Sequence, residues 1–243
     1  MGGVNYPPMN EPDPRPLYLL ADSQPLFWHS GAFLTALCQA SGSAAPNVAY
    51  IGASNGDSPE AHGIFEAAME QVATGATHWV RAEFSAADRE FLEKADVLVL
   101  AGGDVEVGWN AFTRTGLREL IAKRYRAGAV LVGVSAGAVQ FGKYASVGDG
   151  NGAQKLVETF GLIDVIVDVH DERRDWQGLA STIQLLEGTV KGIGIPHGAA
   201  LVVHPDGTFE PAGRAVEEFV MSEGRLRRSV LLADLATPAA ASQ

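Results

Sequence analysis

The stretch VLVGVSAGAVQFG, residues 130–142, decides the fold prediction. Its first half is apolar, as in a buried strand, and its second half is rich in small and apolar residues, as in a helix. Gly133, Ser135 and Gly137 match the pattern G-x-S-x-G, in which a sharp strand-to-helix turn raises the serine hydroxyl above the edge of a sheet. The stretch therefore predicts one β-then-α unit with a nucleophile elbow at Ser135.

Similar units precede this one along the chain. Each is an apolar run followed by an amphipathic stretch, and the runs are LYLLA (17–21), NVAYIGAS (47–54), THWVRAEF (77–84) and DVLVLAGG (96–103). Apolar strands without regular alternation indicate a sheet that is covered by helices on both faces. The succession of units predicts an α/β fold, a three-layer sandwich around a mainly parallel, doubly wound sheet.

The last third of the chain has a different pattern. The apolar runs DVIVDVH (164–170) and GIGIPHGAALVV (192–203) flank a predicted helix at WQGLASTIQLLEG (176–188). The tetrapeptides HPDG (204–207) and EGRL (223–226) are typical of hairpin turns. We therefore expect antiparallel strands that extend the sheet near the C-terminus.

Length and composition indicate a single domain. The chain has 243 residues, of which 47% are hydrophobic, and this is enough for the core of one ordinary domain. Residues 1–15, rich in Pro and Gly, predict a flexible arm, and residues 236–243 predict a flexible tail. We expect one α/β hydrolytic domain over residues 16–235.

Charge and cysteine content exclude several classes of protein. The chain has 18 Lys and Arg against 29 Asp and Glu, and this acidic balance disfavours a nucleic-acid partner. No apolar run approaches the roughly 20 residues of a membrane helix, so no membrane partner is expected. Cys38 is the single cysteine, metal-binding spacings are absent, and the N-terminus does not resemble a secretory signal. We expect a cytoplasmic protein without metal or cofactor.

A nucleophilic serine needs hydrogen-bond donors for the oxyanion that forms on its substrate. The helix expected to begin near Ala136 offers unpaired backbone N–H groups, and Gly102 and Gly103 end the neighbouring apolar run. Adjacent parallel strands would bring these two turns to one crevice. In the structural alternative, Ser135 only caps its helix and the two glycines form an ordinary turn.

A nucleophilic serine also needs a base. His170 is the candidate because it closes the run DVIVDVH, at a strand end that we expect to lie near Ser135. His197 is the second choice. His204 lies in a predicted turn, where a solvated loop role is the simpler interpretation.

The third member of a triad is a carboxylate that orients the imidazole. Asp149, in the glycine-rich segment VGDGNG between the serine and the histidine, is the chosen residue. Glu158, Asp168 and Asp171 remain rivals. Asp168 is disfavoured because it lies two residues from His170 on the same face of one strand.

Several segments together resemble one family. AGGD (101–104), VGVSAGA (132–138), GLIDVIVDVHDERR (161–174) and GIGIPHGAALVV (192–203) are similar in order and spacing to serine peptidases typified by dipeptidase E and cyanophycinase. Their fold is akin to that of class I glutamine amidotransferases, and the resemblance covers roughly residues 16–215. It implies peptide hydrolysis through an acyl-enzyme, without metal or cofactor. The implied roles are nucleophile for Ser135, base for His170, acid for Asp149, and oxyanion donors for the N–H groups of Gly103 and Ala136.

The chain departs from the cyanophycinase pattern where substrate selection is expected. Val105 and Glu106 stand where a Gln usually follows the glycine pair, and Arg173 and Arg174 are adjacent rather than spaced. The tripeptide PHG at 196–198 replaces an acidic pair. These departures argue against cyanophycin as the substrate and leave the implied catalytic residues in place.

The resemblance also bears on substrate binding. Dipeptidase E-type enzymes favour an N-terminal Asp, so Arg173 and Arg174 are candidates to bind a substrate carboxylate. Glu106 would instead bind a free α-amino group, and Gly102 and Asp104 complete the predicted substrate-binding set. The alternative for the arginine pair is a solvated, internally balanced charge run.

We therefore predict a serine peptidase that acts on small peptides, as an exopeptidase or dipeptidase. The alternatives are a cyanophycinase-type exopeptidase on β-Asp-Arg material, an α/β-hydrolase esterase with His204 as base, and a non-catalytic binding domain on the same fold. A glutamine amidotransferase is disfavoured because that chemistry needs a cysteine at the elbow. A homodimer formed through helix faces is a hypothesis without a signature in the sequence.

Overall fold

The computed structural model describes residues 14–148 and 154–233. Most of the predicted arm and all of the predicted tail therefore lie outside the described residues, as does Asp149. Of the helices in the described ranges, none has the length and apolar character that a bilayer-spanning helix needs.

The described chain alternates strands and helices. In chain order the strands are β1 (Leu17–Leu20), β2 (Val48–Ile51), β3 (Thr77–Val80), β4 (Val97–Leu100), β5 (Val130–Val134), β6 (Tyr144–Gly148), β7 (Gln154–Glu158), β8 (Val165–Val169), β9 (Lys191–Ile195), β10 (Ala200–Val203), β11 (Phe209–Ala212), β12 (Val216–Ser222) and β13 (Arg225–Leu231). The α-helices are α1 (Ala32–Gln39), α2 (Pro59–Met69), α3 (Ala86–Leu92), α4 (Val105–Thr115), α5 (Leu117–Arg126), α6 (Ala136–Phe141) and α7 (Gln177–Leu185). Segments Gln24–Gly31, Ala53–Asn55 and Glu172–Arg174 are 3-10 in character.

The large sheet has the order β11-β10-β1-β5-β4-β2-β3. Strands β1, β5, β4, β2 and β3 run parallel, and β10 and β11 are added antiparallel at one edge. This confirms the predicted mainly parallel sheet. Because parallel strands end at the same edge, the segments that follow β1, β2, β4 and β5 meet in one crevice.

Helices cover both faces of this sheet, which confirms the three-layer architecture. Leu17 and Leu19 of β1 belong to one buried cluster, together with side chains of α4 and α5. Tyr18 and Leu20 belong to a second cluster with side chains of α1 and α2. The alternation follows from the two-residue period of a strand, and burial of each large apolar side chain contributes about 1.5–3 kcal/mol.

The C-terminal strands divide between two sheets. Strands β10 and β11 form the hairpin predicted at HPDG and extend the large sheet, as expected. Strands β12 and β13 form the hairpin predicted at EGRL, but the expectation that they extend the large sheet is wrong. They join a second sheet of order β13-β12-β9-β8, in which β8 and β9 are parallel.

The second sheet packs against helix α7. Trp176, Leu179 and Ile183 are buried with Phe219 of β12 in a third apolar cluster. At Gly194 of β9 a side chain would leave its Cβ 2.8 Å from the Trp176 ring, so the glycine permits this close approach. The apolar face of α7 is therefore buried against strands of the second sheet and not against the large sheet.

Strands β6 and β7 form an antiparallel ribbon that the sequence analysis did not predict. The residues between them, 149–153, are those of the glycine-rich segment and lie outside the described residues. Thr182 Oγ1 of α7 and Ser146 Oγ of β6 are hydrogen-bonded to one another at 3.0 Å. The ribbon is thereby attached to the second sheet's helix, close to the end of β8.

Candidate active site

Ser135 occupies a strained turn between β5 and α6. Its backbone angles are φ 49° and ψ −110°, and residues other than glycine rarely adopt a positive φ of this kind. The Ser135 N–H donates to Leu20 O at 2.8 Å, which anchors the turn to β1. A Cβ at Gly137 would lie 2.3 Å from Leu100 O, and one at Gly133 would lie 2.5 Å from Gly137 O. Both glycines of the motif are therefore required by close backbone packing.

The structure brings the predicted nucleophile and the predicted base together. Ser135 Oγ and His170 Nε2 lie 3.0 Å apart, within hydrogen-bond distance. His170 follows β8 of the second sheet, with φ 46°, and its N–H donates to Ile195 O at 2.9 Å. The pair thus joins the ends of two different sheets. The catalytic roles of the two residues remain predictions.

His197, the second choice for the base, lies against His170 rather than against the serine. The two imidazole rings stack with centroids 5.1 Å apart and planes at 22°. His197 Nδ1 is 3.2 Å from Asp22 Oδ2, in the segment after β1. Asp22 belongs to no local motif and was not predicted from the sequence; the structure alone assigns it to this site.

No carboxylate in residues 14–148 or 154–233 is hydrogen-bonded to His170. Asp168 accepts the N–H of Val169 at 2.9 Å, and burial raises its pKa to about 6. Asp171 Oδ1 is 2.6 Å from Arg174 Nε. The role of Asp149 as the acid stays a prediction, because this residue lies outside the described ones.

The predicted oxyanion donors flank the serine. A Cβ at Gly102 would lie 3.2 Å from Ser135 Cβ, so this loop passes directly over the elbow. Gly103 has φ 131°, and a Cβ there would lie 2.1 Å from Ser54 O. The backbone N–H groups of Gly103 and Ala136 donate to no other residue in the described part of the chain. Both are therefore available to a bound carbonyl oxygen.

Gln140 supports the oxyanion loop and was missed by the sequence analysis. It is fully buried, and its Nε2 donates to Val105 O at 3.0 Å and to Ser54 Oγ at 3.3 Å. These bonds tie α6 to the segments that follow β2 and β4. Gln140 could have been singled out in the sequence, because it is the one polar residue in the otherwise apolar helix AGAVQF.

Two cavities adjoin the serine, and both are lined by Ser135 and Gly103. The first, of about 290 Å³, lies beside the segments after β1, β2 and β4 and is bounded largely by apolar side chains. The second, of about 210 Å³, is lined by His170, Asp168 and Arg174 among others. Within the described ranges, no group of three or more His, Cys, Asp or Glu is arranged to hold a metal ion.

The residues predicted to bind substrate are dispersed. Gly102 lines the first cavity and Arg174 the second, but Asp104, Glu106 and Arg173 line neither. The Asp104 carboxylate caps α4 by accepting the Val107 N–H at 2.9 Å. Glu106 is paired with Lys155 Nζ at 2.7 Å. These contacts give structural roles to Asp104 and Glu106.

Comparisons with known proteins bear on the family and the fold of the chain. A sequence model of peptidase family S51 matches residues 29–210. No curated protein sequence matches the chain significantly. The fold is similar to that of a peptidase from an acI-B1 Actinobacterium (TM-score 0.69, 18% identity, 90% of this chain and 95% of that chain). It is also similar to a putative peptidase E protein from Listeria monocytogenes EGD-e (TM-score 0.60, 16% identity, 86% of this chain and 100% of that chain).

Proposed function

Because the chain belongs to peptidase family S51 and is a serine peptidase of the dipeptidase E type, we propose that it hydrolyses small peptides with Ser135 as nucleophile and His170 as general base. The observation that carries the proposal is the 3.0 Å separation between Ser135 Oγ and His170 Nε2 at a strained strand-to-helix turn. Strain of this kind costs on the order of 1–3 kcal/mol and persists where the surrounding structure enforces it.

The first half of the reaction forms an acyl-enzyme. Ser135 Oγ attacks the carbonyl carbon of the scissile bond while His170 Nε2 takes the hydroxyl proton. The tetrahedral intermediate collapses as the same imidazole gives that proton to the leaving amine. In the second half, His170 removes a proton from water, whose oxygen attacks the acyl carbon; the second tetrahedral intermediate then collapses to the free acid as His170 returns that proton to the departing Ser135 Oγ.

The oxyanion of both tetrahedral intermediates binds to the N–H groups of Gly103 and Ala136. The supporting observations are that neither group has a partner among the described residues and that both residues line a cavity with Ser135. Loss of one such donor costs about 10²–10³ in kcat in serine peptidases. Asp149 is proposed to hold His170 in the tautomer that accepts a proton at Nε2.

Small peptides are the proposed substrates because the two cavities, about 290 and 210 Å³, suit single residues on either side of the scissile bond. This arrangement favours an exopeptidase or dipeptidase over an enzyme that cleaves within folded proteins.

A covalent label tests the nucleophile directly. Wild type and Ser135→Ala are treated with a dipeptidyl-type phosphonate ester and analysed by intact mass, and each is assayed on free dipeptides and on p-nitrophenyl esters. We expect one adduct and dipeptide hydrolysis in wild type, with neither in Ser135→Ala. Hydrolysis of esters alone would indicate the esterase alternative. A correctly folded wild type without adduct or turnover would indicate a non-catalytic binding domain.

A further inference from the structure

We propose that the first cavity binds the side chain of the residue whose carbonyl Ser135 attacks, that it selects an apolar side chain, and that Asp22 binds the free α-ammonium group of that residue. The inference rests on the proposed function and deepens it by naming the substrate class: short peptides with a free N-terminus and an apolar first residue.

The position of His170 indicates which cavity receives the acyl part of the substrate and which receives the leaving group. The base that accepts the serine proton later gives it to the leaving amine, so the leaving group must lie on the side of the imidazole. His170 lines the second cavity and not the first. The acyl part of the substrate, which stays on Ser135, therefore extends into the first cavity.

The first cavity is chemically suited to an apolar side chain. Leu26, Ile64, Phe65 and Val99 contribute to its walls, and of the described residues that line it none is Lys, Arg or His. A substrate carboxylate such as that of Asp would enter without a cationic partner, and burial of an unpaired charge is strongly unfavourable. The volume of about 290 Å³ is at the lower limit of small-ligand pockets, which fits one residue.

Tyr50 and Asn55, which also line this cavity, supply no positive charge to a substrate side chain. Asn55 Nδ2 donates to the Tyr50 hydroxyl at 3.0 Å, and Asn55 Oδ1 accepts the Ser58 N–H at 3.1 Å, so both side chains are held in place. Burial raises the pKa of the Tyr50 hydroxyl, which therefore stays neutral at physiological pH. Both residues add polarity without a preference for a charged substrate side chain.

Asp22 is the one charged side chain among the described residues that line the first cavity. Its Oδ2 accepts the Gly198 N–H at 2.7 Å and lies 3.2 Å from His197 Nδ1, and its Oδ1 accepts the Gln24 N–H at 2.8 Å. A carboxylate has about four acceptor sites, so one remains on Oδ1. These bonds hold the carboxylate in a fixed orientation, which suits it to bind an ammonium group.

The test compares dipeptides that differ only in their first residue: Leu-Ala, Phe-Ala, Asp-Ala, Arg-Ala and β-Asp-Arg. We expect kcat/KM for Leu-Ala or Phe-Ala to exceed that for the charged dipeptides by at least about tenfold. Ile64→Arg places a cation at the cavity wall, on a residue that is 45% exposed, and should shift the Asp-Ala to Leu-Ala ratio toward Asp-Ala by about tenfold or more. Leu185→Arg, at a residue that is 73% exposed on α7, is the matched control and should leave the ratio unchanged.

N-acetylation tests the role of Asp22. We expect acetyl-Leu-Ala to be cleaved about tenfold to a hundredfold less efficiently than Leu-Ala by wild type, because a charge-assisted hydrogen bond is lost. In Asp22→Asn this difference should largely disappear, a result that a merely structural role for Asp22 would not produce.

The outcomes distinguish failure of this inference from failure of the proposed function. Phosphonate labelling of Ser135 together with a preference for Asp-Ala, Arg-Ala or β-Asp-Arg would overturn this inference and leave the proposed function standing. Unchanged substrate ratios in Ile64→Arg would overturn the assignment of the cavity. Absence of both labelling and hydrolysis would overturn the proposed function and this inference with it.

Discussion

Ser135 and His170 are held by two sheets of unlike construction. The parallel strands β1, β2 and β4 of the large sheet are buried along their whole length, with helices on both faces. In the second sheet β13 is mostly exposed, and the apolar cluster under α7 is small. One face of β8 and β9 shares the main apolar cluster of the large sheet, so the support of the base is thinner than that of the nucleophile only on the side of α7.

Ser135→Gly should have the largest effect, and it acts on activity and stability in opposite directions. Loss of the nucleophile should lower kcat by about 10⁶-fold. Glycine adopts φ 49° and ψ −110° without strain, so the free energy of unfolding should rise by about 1 kcal/mol. Dipeptide assays and urea denaturation measure the two effects. A less stable variant would contradict the interpretation of the elbow as strained.

Asp149→Asn should lower kcat by about 10⁴-fold, because the amide favours the wrong tautomer of His170. Asp168→Asn is the matched control, since its carboxylate accepts the Val169 N–H rather than contacting the imidazole. The kcat values of both variants, measured by steady-state kinetics, show whether Asp149 or Asp168 is the acid of the triad. If Asp168→Asn were the more damaging change, the acid of the triad would lie within the second sheet itself.

Asp168 should make the support of the base sensitive to pH. Burial raises its folded-state pKa from 3.8 to about 6, so the unfolded chain loses this proton first as the pH rises. The contribution to stability therefore falls between about pH 4 and pH 6 and is constant above that range. Asp168→Asn should be more stable than wild type by about 3 kcal/mol at pH 7 and equal to it near pH 4. Urea denaturation across this range measures the difference, and a pH-independent offset would refute the assignment.

Two glycine variants compare the rigidity of the sheets directly. Gly137→Ala would place a Cβ 2.3 Å from the backbone oxygen of Leu100, and we expect a loss of about 3 kcal/mol in unfolding free energy. Gly192→Ala would place its Cβ 2.9 Å from Leu179 Cδ1 and 3.0 Å from Ile183 Cγ1; because these are side-chain atoms, which can move more easily than backbone, a loss of about 1 kcal/mol is expected. Equal losses would show that the second sheet is as rigid as the first.

Much of the fold and of the catalytic pair could be predicted because the relevant signals are local. The elbow is encoded by Gly133, Ser135 and Gly137, whose close contacts arise within one strand–turn–helix unit and its neighbouring strand. The five β-then-α units are likewise each encoded by consecutive residues. His170 was found because it ends an apolar run, and strand ends of this kind gather at one edge.

Other features depend on contacts between distant segments. Asp22 and His197 are 175 residues apart in the chain and meet only because β1 and β10 pair. Strands β12 and β13 join a second sheet because they help to bury the apolar face of α7. The sequence alone does not show which strands cover that face. Arg173 and Arg174 are neighbours in the sequence, yet of the two only Arg174 is among the described residues that line the cavities beside Ser135.

Local patterns in the sequence suffice to predict the parallel architecture, the sharp turn at Ser135 and His170 as the candidate base, because each is encoded by the periodicity or by the small residues of one short segment. Only the packed domain shows which sheet His170 follows, which carboxylates line a cavity together with Ser135, and which other side chains line the two cavities. The physical reason is that burial and pairing between segments far apart in the chain depend on the packing of the whole domain, which local patterns do not contain.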